Sequence, residues 1–263
     1  MNCSTYLAAG LLCFSGMAQA DVTLFAAGSL RGAMTEISTA FTDQTGIVVK
    51  GEYGPSGLLR ARIEKGEQVD LFTSADMNHP RKLVESGKTP NVVRFVGNRL
   101  CAMAKPEVGL TSGNLLDKAL SPEIKLGTST PIADPSGDYT WKVFDKAEAL
   151  SAGAGKALKA KALQLVGGPQ SEAIPAGRSA VPYMFATGKA DMFLAYCTTG
   201  QAASKEGVKL DVVNLPPALA QSADYGMAVI GKDAATAQLA LFILSEQGQV
   251  ILAKWGFETP GNR

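Results

Sequence analysis

The chain has 263 residues, a formal net charge of +1, 46% hydrophobic and 19% charged residues. That length can bury a substantial core in one large domain or two smaller lobes, and the composition excludes intrinsic disorder. The near-neutral balance argues against a nucleic-acid binder, which carries a clear basic excess.

Residues 1–20 read differently from the rest. "MNCSTYLAAGLLCFSGMAQA" has no charged side chain, an apolar centre from Tyr6 to Phe14, and a small-x-small ending at Ala18-Gln19-Ala20. The pattern predicts a cleaved signal peptide, a mature chain from Asp21 and a periplasmic location, against the alternative of a buried N-terminal helix. Its apolar core is too short for a permanent membrane anchor. Cleavage removes Cys3 and Cys13 and leaves Cys101 and Cys197. In an oxidising compartment that pair is a candidate disulfide; the alternative is two buried thiols.

From Asp21 onward, strand and helix signals alternate, which predicts α/β layers. Thr23–Ala26 reads as a strand and runs through Ala27-Gly28-Ser29 into a helical repeat, Leu30, Ala33, Met34, Ile37 and Phe41. "IVVKGEY" (47–53) is strand-like, "GPSG" (54–57) a turn, and "LLRARIEKG" (58–66) a short helix. Further strands are expected in "VDLFTSAD" (69–76), "NRLCAMAKP" (98–106) and "IKLGTS" (124–129). "ADPSGDY" (133–139) is a turn before a helix starting near Trp141, and 151–165 reads as one Ala/Lys-rich helix. "IPAGRSAVPYMFATG" (174–188) is a turn and helix, followed by strands at 190–196, 208–216 and 225–231 and a helical C-terminus over 234–256.

One device recurs. Small residues and a serine stand where a strand meets a helix: Ser29, Ser56 in Gly-Pro-Ser-Gly, Ser136 in Asp-Pro-Ser-Gly, and Gly177-Arg178-Ser179. A helix start exposes unpaired N–H groups and the positive end of the macrodipole, and an N-cap serine adds a hydroxyl. Any one serine is an ordinary cap. Four such turns suit an oxyanion held mostly by backbone N–H groups, if they converge at one crevice of the sheet.

"TLFAAGSLRGAMTEISTAFTDQTGI" with "SGLLRARIEKGEQVDLFTSAD" resembles the periplasmic molybdate-binding proteins of ABC transporters, which are type II solute-binding proteins. The resemblance runs over nearly the whole mature chain. It implies an α/β fold of two lobes, each a mixed sheet flanked by helices, with 21–98 plus 225–263 in one lobe and 99–224 in the other. It implies that Ser29 and Ser56 hold a tetrahedral oxyanion (molybdate or tungstate) from the first lobe. The Pro135-Ser136-Gly137 turn and the backbone at Arg178 hold it from the second, with the Tyr196 hydroxyl completing the site. The partners implied are that anion and a membrane permease; the protein is expected to be a monomer, with no nucleic acid, no cofactor and no enzymatic step.

The chain departs from the family pattern at Arg178, where an aliphatic residue is usual, and at Cys197. A guanidinium turned toward the anion favours phosphate, sulfate or a small phosphorylated or carboxylic acid. Alternatively Arg178 gives only its N–H and points to solvent, or pairs with Asp134 or Asp138. An enzymatic rival, a thiol redox protein or serine hydrolase, lacks both a Cys-x-x-Cys and a Gly-x-Ser-x-Gly arrangement. His79, the sole histidine, is read as structural.

Overall fold

The structure is a computed structural model that describes residues 21–260; the expected signal peptide, with Cys3 and Cys13, lies outside the described residues. In chain order the first part comprises β1 (Val22–Ala27), a 3₁₀ turn (Gly28–Leu30), α1 (Arg31–Thr45), β2 (Val49–Gly54), α2 (Ser56–Glu64), β3 (Leu71–Ser74) and α3 (Asn78–Glu85). The long β4 (Val92–Ala104) follows. Then come α4 (Leu115–Leu120), β5 (Leu126–Ser129), α5 (Pro135–Leu150), α6 (Ala154–Lys161), β6 (Leu163–Val166), α7 (Ala180–Ala186), β7 (Met192–Tyr196), α8 (Thr199–Lys205) and β8 (Asp211–Asn214). The chain closes with β9 (Ser222–Val229), α9 (Ala234–Leu244) and α10 (Glu246–Lys254).

The strands form two sheet halves that share β4. In the first half β1 lies parallel to both β2 and β3, β3 pairs antiparallel with β9, and β9 pairs with residues 92–99 of β4. In the second, residues 100–104 of β4 carry β7 on one edge and β8 on the other, and β5 lies parallel to β7 and β6. Both halves are covered by helices, so inner strands such as β3 and β5 are buried along their whole length. All of β7 (MFLAY) is buried, as is β1 apart from Thr23.

Local sequence explains the helices. On α1 the residues Ala33, Met34, Ile37 and Phe41 are buried on one face, and the helix stops at Gly46, which takes the left-handed φ of 75° that favours glycine. Val143, Phe144 and Ala147 do the same for α5. One large cluster, from Leu24 and Phe41 to Phe144 and Leu239, runs beneath both sheet halves.

Several boundaries differ from the sequence expectation. The 151–165 helix ends at Lys161, and the chain then adds β6 as an edge strand beside β5. Helix α5 begins at Pro135 rather than near Trp141, because Asp134 caps it and proline suits the first helical position. β4 starts at Val92, six residues before Asn98, where Val-Val-Arg-Phe-Val continues the β pattern. The C-terminal helix splits at Ser245, whose side chain accepts from the Gly248 N–H and caps α10.

Candidate functional site: a cleft between the two sheet halves

The ends of β1, β3, β5 and β7 open on a common cleft. Ser29, Ser56, Ser136, Arg178 and Tyr196 all line this cavity of about 700 Å³. The four turns singled out from sequence therefore converge, but each uses its donors in its own way.

On the first half, Ser29 lies inside the 3₁₀ turn and caps no helix. The cap expected from sequence is absent because the 3₁₀ turn leads directly into α1. The Ser29 hydroxyl instead shares a hydrogen bond with the Tyr225 hydroxyl (2.9 Å), which also accepts from Asn98 Nδ2 (3.2 Å). Asn98 donates in addition to Thr198 Oγ1 (3.0 Å). Burial drives the Tyr225 pKa far up, so this hydroxyl stays neutral. Ser56 is the first residue of α2, after Pro55, and its Oγ accepts from the Ala75 N–H (3.2 Å). Nearby Asp76 braces the wall by accepting from Ser74 Oγ (2.9 Å) and the His79 N–H (3.1 Å).

On the second half the helix starts carry acids. The Asp134 carboxylate accepts from the Ser136 N–H (3.0 Å), the backbone donor expected to meet the anion. Ser136 itself is 4% exposed, and its Oγ is buried with no hydrogen-bond partner. Burial pushes the Asp134 carboxyl up to about 6; neighbouring Asp138 and Asp76 push the same way, against hydrogen bonds from the Ser136 N–H and the Ser129 side chain.

Arg178 departs from expectation in two ways. Its N–H is spent on the Pro175 carbonyl (3.1 Å), in the turn that enters α7. Its guanidinium pairs with Glu206 (2.8 Å), not with Asp134 or Asp138, and lies over the Tyr183 ring. The other oxygen of Glu206 accepts from the Ser179 N–H (2.7 Å), so a carboxylate sits at this helix start too. Glu206 was out of reach of sequence reasoning because it lies 28 residues from Arg178 and approaches from the end of α8. Asp134 was visible as the residue before Pro135-Ser136, an N-cap signature, yet its meaning depends on the cleft around it.

Tyr196 ends β7, fully inside the protein. Its hydroxyl donates to the Ala75 carbonyl across the cleft (3.4 Å), and its ring meets Tyr139 and Tyr225 edge-on. Burial raises its pKa well above the ordinary tyrosine value. The next residue, Cys197, forms a disulfide with Cys101 of β4 at a Cα separation of 4.9 Å. The walls also meet where the Gly57 N–H donates to the Ala133 carbonyl (3.0 Å). Ile132, just before it, holds a φ of 70°, a strained value for a β-branched residue. A Cβ at Gly57 would lie 2.5 Å from the Ile132 carbonyl oxygen, so the approach requires glycine there.

A mixed sheet curled around a cleft, with helix starts and hydroxyls entering from both halves, is the architecture of the type II solute-binding proteins. The periplasmic molybdate-binding protein of Azotobacter vinelandii has this fold, with a TM-score of 0.71 at 19% identity over 91% of this chain and 100% of that one. Residues 22–258 match the family described as bacterial extracellular solute-binding protein, and the chain belongs to that family. It is 39% identical to an uncharacterised protein of Pasteurella multocida over 89% of this chain and 97% of the relative. It is 30% identical to the molybdate-binding protein ModA of Escherichia coli over 50% of this chain and 55% of that protein. No helix among the described residues is long and apolar enough to cross a membrane.

Proposed function

We propose that the protein is the solute receptor of an ABC importer and captures a tetrahedral oxyanion, molybdate or tungstate, in the periplasm. Residues 21–98 with 225–263 form one lobe and 99–224 the other; the anion docks on Ser29 and Ser56, and closure brings Ser136 and Tyr196 to it. The closed form is what the permease recognises. No bond is made or broken and no cofactor takes part.

The observation that carries this reading is the convergence of Ser29, Ser56, Ser136 and Tyr196 on one cavity, with the Ser136 hydroxyl buried and unpartnered. A buried polar group without a partner costs about 1–3 kcal/mol, which a guest's oxygen would recover. The molybdate-binding relative supports the choice of anion. Neutral hydroxyl donors spread the opposing charge over dipoles rather than meeting it with a full positive charge.

A second reading keeps the fold and enlarges the guest. The cavity of about 700 Å³ exceeds what one oxyanion fills, and Arg31 and Lys205 are among its lining residues, which favours a small phosphorylated or carboxylic acid. Arg178, the original reason for this alternative, is already engaged by Glu206. Thermal-shift titration with molybdate, tungstate, sulfate, phosphate and small organic acids separates the two. The primary reading requires a shift with molybdate; an organic acid acting alone replaces it with the second.

A further inference from the structure

The acid at the start of α5 has a consequence for any anion that docks there. Asp134 and Ser136 line the same cavity. One Asp134 oxygen holds the Ser136 N–H, and the other packs where a Cβ on Gly167 would come within 2.5 Å of it. The buried, unpartnered Ser136 hydroxyl is a second and independent sign that a guest oxygen belongs at this helix start. A guest that reaches Ser136 shares this cavity with the carboxylate that caps the helix. An ionised carboxylate only accepts hydrogen bonds, and so does a fully deprotonated oxyanion. Two such groups at hydrogen-bonding range do not both stay ionised.

We propose that Asp134 is a specificity-determining residue: the cleft accepts a tetrahedral oxyanion only together with one proton. The Asp134 carboxyl carries that proton when the guest has none, and the guest carries it when it can. Molybdate and sulfate, which have no proton near neutrality, therefore bind with uptake of one proton from solvent. Hydrogen phosphate brings an O–H of its own and donates it to the ionised carboxylate. This inference rests on the oxyanion reading above.

The surroundings fit that role. The α5 helix itself contributes Asp138, whose carboxylate accepts from the Ile132 N–H. From the turn after β3 comes Asp76, and from β7 and β9 come Tyr196 and Tyr225. β5 supplies the Ser129 side chain as a hydrogen-bond donor. The charged groups that act most on Asp134, Asp138 and Asp76, are both acidic and favour its protonated form, as does burial, which places the carboxyl near 6.

Calorimetric titration with sodium molybdate at pH 6 and pH 8, in buffers of different ionisation enthalpy, gives both Kd and the proton count. With a site that must be protonated and titrates near 6, the Kd is expected to weaken about 50-fold between the two pH values. About one proton is taken up per molybdate at pH 8, and none with phosphate. The proton count needs no variant. Asp134→Asn, similar in shape and equally able to cap the helix, is expected to bind molybdate with a flat pH profile and no proton uptake. A flat profile without uptake in the unaltered protein, or an unchanged slope in Asp134→Asn, overturns the inference while leaving the oxyanion reading intact. Failure of molybdate, tungstate, sulfate and phosphate to bind at either pH overturns the oxyanion reading and this inference with it.

Discussion

The two walls of the cleft answer the same physical problem in opposite ways. On the first, the turns that line the cavity carry hydroxyls, Ser29 tied to Tyr225 and Ser56 to the Ala75 N–H, while the Asp76 carboxylate at the start of α3 is not part of the lining. On the second, carboxylates do: Asp134 holds the Ser136 N–H and Glu206 the Ser179 N–H. A helix start attracts any anion, including one from the same chain. A wall of hydroxyls is ready for a guest on arrival. A wall already occupied by acids sets a condition, because the guest must displace or neutralise them.

Several measurements can break or sharpen this contrast. The largest effect is expected from the covalent tie, which belongs to the second wall alone. Removing the Cys101–Cys197 bridge, which spans 96 residues, as the paired serine variant should lower unfolding stability by about 4 kcal/mol in urea titrations. A loss well under 1 kcal/mol would mean the second wall is held by packing alone.

Next comes Asp134 itself. Its folded pKa, near 6, lies above the unfolded value, so the native state holds the extra proton between the two. Stability therefore falls as pH rises through that window, and the charged form is penalised above it. Asp134→Asn should gain about 2 kcal/mol at pH 8 and almost nothing at pH 4, read as a melting difference that widens with pH.

The serines separate the walls further. Ser56→Ala orphans the Ala75 N–H as well as removing a donor, so molybdate affinity should drop at least about tenfold and stability should fall with it. Ser136→Ala, whose hydroxyl has no protein partner, should weaken molybdate similarly while leaving the melting temperature unchanged or raised. Equal melting losses in both variants would erase the distinction.

The smallest effect is expected at Gly57, where the walls touch. Alanine there improves the helix by up to about 1 kcal/mol but meets the Ile132 carbonyl oxygen. Gly57→Ala should hold the walls apart and weaken molybdate several-fold without lowering stability; tighter binding would show that the contact is incidental.

Much of the architecture was legible because its signals are local. The repeat from Leu30 to Phe41 wrote α1, Gly46 wrote its end, and the uninterrupted apolar run of 190–196 wrote β7. The convergence of the serine turns was legible too, since strand-to-helix junctions in such sheets open at one edge. What remained hidden depends on long-range approach. Glu206 reaches Arg178 and Ser179 from another helix, and Tyr225 reaches Ser29 across 196 positions. Residues 163–165 read as helix because an Ala/Lys-rich stretch favours one, whereas the edge of β5 gives them a ladder to join. Local propensity cannot register a partner that only the finished sheet provides.

The strand shared by the two sheet halves bears on how the cleft can move. β4 passes from one half to the other without a break, and the ladder beside it continues through the Leu100 N–H to the Gln221 carbonyl (2.9 Å). There is no slack loop at this crossing to act as a pivot. On the proposed two-lobe reading, opening is absorbed as elastic torsion in a hydrogen-bonded ribbon, so amides around Asn98 to Cys101 should exchange slowly with deuterium whether or not the cleft is filled. The return force then comes from the backbone's own preference for one degree of twist, as in a wound spring.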